Sequence, residues 1–201
     1  MTKNSGRMPL RQVRIIGGQW KRTPLPVKDI DGLRPTPDRV RETVFNWLEH
    51  LRAGNWAGLA CLDLFAGSGA LGFEAGSRGA AKVVLVETHP AAVSQLAAIR
   101  EKLGAGQVSV MQGDAVKLIT GISGKFDLIF LDPPYQLRLL PRLLPLCRPL
   151  LQTGGLVYAE ADNAFDGEAS PEWLAGWQVV RSAKAGAVHY GLLAADDAMA
   201  N

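Results

Sequence analysis

The stretch CLDLFAGSGALGFEA, Cys61 to Ala75, decides the fold. A short apolar run carries an acid, Asp63, and breaks at Phe65-Ala66. Gly67, Gly69 and Gly72 then follow in G-x-G-x-x-G order and open an apolar, helix-forming segment. Glycines in such a turn let the backbone approach a ligand closely, and the helix start offers free N–H groups to it. The motif carries weight because it sits where its mechanism requires, after a strand and at the start of a helix.

On either side of this unit the chain alternates apolar strands with helical stretches. Strands are predicted at 60–65, 82–87, 107–111, 126–131 and 155–160, with helices near 69–79, 90–103, 114–120 and 137–151. Apolar strands with no alternating pattern, separated by helices, imply a parallel sheet covered on both faces, the α/β class. After Asn163, WQVVRSAKAG and AVHYGLLAA look like two β segments joined by a glycine turn, an antiparallel pair finishing the sheet. Upstream, VRIIGGQWKRTPLPV (13–27) reads as a short irregular β element. In RPTPDRVRETVFNWLEHL, Thr36 suits an N-cap and Pro37 the first helical position. Val40, Val44, Trp47, Leu48 and Leu51 share one face of that helix, with Arg39 and Arg41 away from it. Residues 1–53 therefore read as an N-terminal extension, and 54–201 as the main domain.

The whole chain has 201 residues, 47% of them apolar and 20% charged, which suits one sizeable soluble domain. No apolar run is long enough to span a bilayer, and no hydrophobic block follows the basic N-terminal residues as in a secretory signal. A cytoplasmic protein is expected. Two cysteines in apolar surroundings, Cys61 and Cys147, read as reduced thiols and are too few for a zinc site. The net charge is +3, unevenly spread. Residues 1–52 hold 11 of the 22 basic but only 5 of the 19 acidic residues. A basic leading segment on a mildly acidic body suits a polyanionic partner.

Three acids end successive strands. Glu87 closes the second strand, placed to accept hydrogen bonds from ribose hydroxyls. Three glycines suggest a nicotinamide cofactor, but Asp63 lies inside the first strand, where a dinucleotide fold usually keeps apolar residues. Its carboxylate would capture a cationic group. Asp114, in QGDA after the third strand, would accept from an adenine amino group. A ligand with an ammonium and an adenosine fits this set, and S-adenosylmethionine has both.

IFLDPPY, Ile129 to Tyr135, supplies the reaction. Asp132 ends the fourth strand beside the switch point where α/β sheets bind ligands. Pro133 and Pro134 hold the backbone extended, remove two donors and leave carbonyls to point into the cleft. Tyr135 offers a flat face. An acceptor carboxylate, a fixed carbonyl and a stacking ring describe a clamp for a planar base with an exocyclic amino group. Accepting hydrogen bonds from that group opposes delocalisation of its lone pair, so the nitrogen can attack a methyl sulfonium in line.

DPPY resembles the motif of amino-directed methyltransferases, and LDLFAGSG their cofactor loop. RIIGGQWKRTPLPV, GLRPTPDRVRETVFNWL, CLDLFAGSGALGFEA, DPPY and KAGAVHYGLL together resemble the bacterial guanine-N2 methyltransferases of small-subunit (16S) ribosomal RNA, over roughly residues 13–193. The resemblance implies a Rossmann-like class I S-adenosylmethionine-dependent fold, with a seven-stranded, mostly parallel sheet whose last strand is antiparallel. It implies methylation of one guanine in assembled or partly assembled small subunits. Asp63 and Gly67 to Gly69 would line the methionine end of the cofactor, Glu87 the ribose and Asp114 the adenine. Phe65, Ala66, Ser68, Gly72, Thr88, Ala115 and Asp132 complete the expected cofactor site, and Asp132 to Tyr135 would hold the guanine. Thr88-His89 departs from the pattern, since many relatives place a second acid there. His89 reads as a surface helix-start residue.

Arg14, Lys21, Arg22, Arg34, Arg39 and Arg41 are the candidate RNA-phosphate contacts. Trp20, between basic residues, either stacks on a base or covers the β element. Specificity would come from the shape of the ribosomal site and from flipping the base out of its stack. A DNA adenine-N6 methyltransferase shares the loop and DPPY but normally needs an added recognition domain, for which 201 residues leave little room. No coiled-coil seam is present, and a monomer is the default.

Overall fold

In the computed structural model the described residues are 12–27, 36–165 and 171–196. Strands β1 (Gln12–Arg14) and β2 (Pro24–Pro26) pair antiparallel and precede helix α1 (Asp38–Leu51). The main sheet contains β3 (Ala60–Asp63), β4 (Lys82–Glu87), β5 (Val108–Gln112), β6 (Phe126–Leu131), β7 (Leu151–Ala161), β8 (Trp177–Ala185) and β9 (Val188–Ala195). Helices α2 (Ala70–Arg78), α3 (Pro90–Lys102), α4 (Ala115–Leu118) and α5 (Leu140–Cys147) connect them.

The sheet order is β5-β4-β3-β6-β7-β9-β8. β3 to β7 are mutually parallel, and β9 runs antiparallel between β7 and β8. The expected seven-stranded sheet with an antiparallel last strand is what forms. The chain steps to one side of β3 for β4 and β5, then to the other for β6 and β7. That reversal makes the crevice at the carboxyl ends of β3 and β6 the switch point.

Strand alternation divides the core in two. Cys61, Val83, Leu85, Leu128, Phe130 and Tyr158 face one side with α1, α2 and α3. Leu62, Val84, Val86, Ile129, Leu131 and Val157 face the other with α4 and α5. Both faces of the central strands are buried, which is why they read as unbroken apolar runs. β1, β2 and α1 share the first cluster through Val13, Ile15, Leu25, Val40, Val44 and Phe45. They are also hydrogen-bonded to α2. Buried Glu74 accepts from the N–H groups of Ile16 (2.6 Å) and Gly17 (2.8 Å), and Ser77 Oγ donates to the Gly17 carbonyl at 2.6 Å.

Three expectations at α1 fail. The helix starts at Asp38 with Pro37 at the cap position and no side-chain cap, because the Thr36 hydroxyl turns instead toward two carboxylates. Arg41 is fully buried, not outside the apolar stripe. β1 packs on that flank of the helix, and Arg41 donates to the Arg14 carbonyl (2.9 Å) and to Asp38 (2.7 Å). Leu51, placed on the stripe, is half-exposed, while Phe45 is buried.

Candidate active site

The loop between β3 and α2 owes its shape to glycine at two positions. Gly67 and Gly69 have φ of 52° and 79°, left-handed values that suit glycine. A Cβ on Gly69 would lie 2.5 Å from the Phe73 ring. Gly72 serves differently. A Cβ there would lie 2.1 Å from Leu85 Cδ2, so glycine lets α2 approach the sheet. Its N–H donates to Asp63 Oδ2 (3.2 Å), so Gly72 acts on the site by holding Asp63.

The acids stand at strand ends as expected. Asp63 is buried and also accepts from Phe65 N–H at 3.3 Å. Burial raises its pKa from 3.8 to about 7, against the pull of those two N–H groups and with help from the nearby Glu87 charge. It therefore meets a cationic group favourably, since pairing would remove the penalty on its ionised form. Glu87 is buried at the end of β4 and accepts from Gly67 N–H (2.9 Å) and His89 N–H (2.8 Å), tying β4 to the glycine loop. Asp114 is exposed at the start of α4, where Oδ1 accepts from Val116 and Lys117 N–H and Oδ2 is left for a ligand. Around them Ala66, Ser68 and Ala115 are buried, Phe65 is half-buried and Thr88 is exposed. His89 caps α3, its Nδ1 accepting from Ala91 N–H at 3.3 Å, and lies on the surface.

Across the switch point β6 delivers Asp132. Pro133 is buried and Pro134 exposed. The Pro134 carbonyl accepts from Leu137 N–H (3.0 Å) in a turn that begins at Tyr135, so of the two proline carbonyls only that of Pro133 remains for a ligand. The parallel register sets Leu131 beside Ala159, which brings Glu160 of β7 next to Asp132. Glu160 is buried and was not among the residues singled out in the sequence. It accepts from Tyr158 Oη (2.7 Å), Tyr135 Oη (2.9 Å) and Thr36 Oγ1 (2.9 Å). Thr36 Oγ1 also lies 3.0 Å from Asp132 Oδ2. Burial first, then the Glu160 charge, push Asp132 well above the carboxylate range; the Tyr135 and Tyr158 hydroxyls are raised for the same reasons. The signal for Glu160 was present, an acid closing the strand after DPPY, but only pairing of β6 with β7 gives it a neighbour.

Of the candidate RNA contacts, Arg14, Lys21, Arg22 and Arg39 are exposed. Arg41 is buried and out of reach of a phosphate, and Arg34 lies outside the described residues. Trp20 packs edge-on against Phe73 with ring centroids 6.5 Å apart, which favours the covering role. Leu137, 60% exposed, and exposed Arg138 follow Tyr135 and were not singled out in the sequence. Among the described residues no helix is long and apolar enough to cross a membrane, and no group of three metal-ligating side chains occurs.

A glycine loop facing a DPP turn across the switch point of a seven-stranded sheet, with β9 inserted antiparallel, defines a Rossmann-like class I methyltransferase. The chain belongs to the family described as conserved hypothetical protein 95, whose model matches residues 13–194. It is 41% identical over 183 residues to ribosomal RNA small subunit methyltransferase D of Escherichia coli K12, covering 90% of this chain and 89% of that one. The protein of the same name from Haemophilus influenzae is 36% identical over 188 residues, covering 90% and 93%. A solved structure from Escherichia coli, described as a putative methyltransferase, superposes with a TM-score of 0.77 at 36% identity over 92% of this chain and 99% of that one.

Proposed function

We propose that this protein methylates the exocyclic N2 amino group of a guanine in 16S rRNA of the small ribosomal subunit, with S-adenosylmethionine as donor. The observation that carries the reading is the placement of Asp132, Pro133 and Tyr135 directly across the switch point from Asp63 and the glycine loop. The name shared by the Escherichia coli and Haemophilus influenzae relatives supports ribosomal RNA as the substrate.

The donor set fits the cofactor. Asp63, Glu87 and Asp114 offer acceptors at three successive strand ends, and Asp63 is held where a cation relieves its buried charge. When bound, S-adenosylmethionine supplies a methyl group already activated on a sulfonium, so the protein's part is positioning and electrostatics. Asp132 and the Pro133 carbonyl accept from the amino group, and Tyr135 stacks on the base with its hydroxyl fixed on Glu160. Arg14, Lys21, Arg22 and Arg39 hold RNA phosphates and contribute salt-dependent affinity without sequence information. The chain acts as a monomer in the cytoplasm.

The test is incubation of labelled S-adenosylmethionine with undermethylated small subunits, naked ribosomal RNA and duplex DNA. Label in N2-methylguanine of small subunits is the expected result, and label confined to DNA adenine refutes the reading. Asp132→Ala should abolish turnover while leaving cofactor binding measurable; equal loss of both would place Asp132 with the cofactor instead.

A further inference from the structure

We propose that Thr36 and Glu160 form a proton relay behind Asp132, with Glu160 as the final acceptor of the proton that amino methylation releases. The inference rests on the amino-methylation reading above and gives Thr36 and Glu160 a part in its proton transfer.

The hydrogens around Glu160 and Asp132 can be counted. Glu160 Oε1 lies 2.7 Å from Tyr158 Oη and 2.9 Å from Thr36 Oγ1, and Oε2 lies 2.9 Å from Tyr135 Oη. Thr36 Oγ1 is also 3.0 Å from Asp132 Oδ2. Four close oxygen–oxygen contacts each hold a hydrogen of their own when one more proton joins the three that the hydroxyl groups supply; otherwise Thr36 must split a single hydrogen between two carboxylates. The fourth is a carboxyl proton. Glu160 collects three donors, which marks it as the anion. Thr36 then donates to Glu160, and Asp132 Oδ2 donates to Thr36, leaving Oδ1 as a neutral acceptor for the substrate.

The surroundings favour keeping that proton. The ion pairs of the described residues join Arg41 to Asp38 and Arg78 to Glu49 and Glu74, and none reaches Asp132 or Glu160. Asp63 from β3 acts on Asp132, Tyr158 from β7 and Tyr135 from the turn after β6 bond to Glu160, and Asp162 beyond β7 acts on Tyr135, all of them neutral or acidic groups. Burial together with this acidic setting also holds Asp132 toward its protonated form.

The step balances. As the N–C bond forms, the electron pair of the breaking S–C bond stays on sulfur and one proton must leave the nitrogen. It passes to Asp132 Oδ1 while the Oδ2 proton moves to Thr36 Oγ1 and the Thr36 proton moves to Glu160 Oε1. Asp132 and Thr36 finish with their original proton count, and Glu160 finishes neutral. Solvent reclaims the proton once product leaves.

The experiment compares Thr36→Val, Thr36→Ser and Glu160→Gln in single-turnover methylation of undermethylated small subunits, with S-adenosylhomocysteine affinity measured alongside. Thr36→Val and Glu160→Gln should each slow transfer about 10²-fold, the typical weight of a positioned acid–base group, with cofactor affinity kept within about twofold. Thr36→Ser, which retains the hydroxyl, should stay within about threefold of the parent. Wild-type rates in Thr36→Val, or Thr36→Ser as slow as Thr36→Val, overturn the relay. A second measurement is independent of the substrate. The infrared difference spectrum of the ligand-free parent minus Asp132→Asn should contain the carbonyl stretch of a protonated carboxyl group at pH 7; its absence overturns the relay. If the parent labels no small subunit, the substrate reading fails and the infrared result still decides the proton count.

Discussion

Replacing Asp63 by asparagine should stabilise the ligand-free protein at pH 8 while weakening its hold on the cofactor. The native-state pKa, about 7, lies above the ordinary aspartate value of 3.8, mainly because the group is buried. The folded state therefore binds more protons than the unfolded one between these values. Stability is lost as pH rises through that window and is level above it. At about 1.4 kcal/mol per pH unit, the penalty is about 4 kcal/mol at pH 8 and about 1.5 kcal/mol at pH 5. Asparagine offers one acceptor where Asp63 accepts from both Phe65 and Gly72 N–H, and the lost contact costs about 1–3 kcal/mol. The net gain is about 2 kcal/mol at pH 8 and close to zero at pH 5, a rise in Tm of about 4–8 °C at the higher pH for a chain this size. Calorimetry of both proteins at the two pH values checks this. A lower Tm for the variant at pH 8, or the same difference at both pH values, refutes the reasoning. Titration with S-adenosylhomocysteine, which keeps the ammonium, gives the functional half. Parental affinity should fall about 30-fold between pH 8 and pH 5.5, as each unit below the pKa costs about tenfold, and the variant should bind weakly with no such slope. A flat parental profile would separate Asp63 from the ammonium.

Other residues give sharper contrasts. Arg39→Glu should weaken small-subunit binding and flatten its salt dependence with Tm unchanged, whereas Arg41→Ala should lower stability by about 2–5 kcal/mol, because Arg41 is buried against β1; urea titration and a binding series in salt distinguish them. Glu74→Ala removes the shared acceptor of Ile16 N–H, Gly17 N–H and Arg78 Nε. It should cost about 3–5 kcal/mol and expose the segment 12–27 to limited proteolysis ahead of the main sheet. Cys61 and Cys147, with thiols pushed up to about 12 chiefly by burial, should resist thiol reagents at pH 8 until the protein unfolds; reaction in the native state would contradict their burial.

Much of this protein is legible before any coordinates are known. Strands at 82–87 and 126–131 form with those bounds, because a strand buried on both faces is an unbroken apolar run whatever lies beside it. Asp63, Glu87, Asp114 and Asp132 are legible for the same local reason: each interrupts or closes such a run, where a charge has no packing purpose. What the sequence could not determine depends on a neighbour from a distant part of the chain. Arg41 looks like a surface cation by helical period, and only the Arg14 carbonyl on β1 makes its flank an interior one. Thr36 looks like a helix cap, yet its hydroxyl bonds to Glu160, 124 residues away. Glu160 becomes part of the site only through the register of β6 with β7, which sets it beside Asp132. Periodicity records what an element does to its own side chains. Which buried polar groups meet, and therefore where the protons lie, is decided by strand order and register, which are properties of the folded sheet alone.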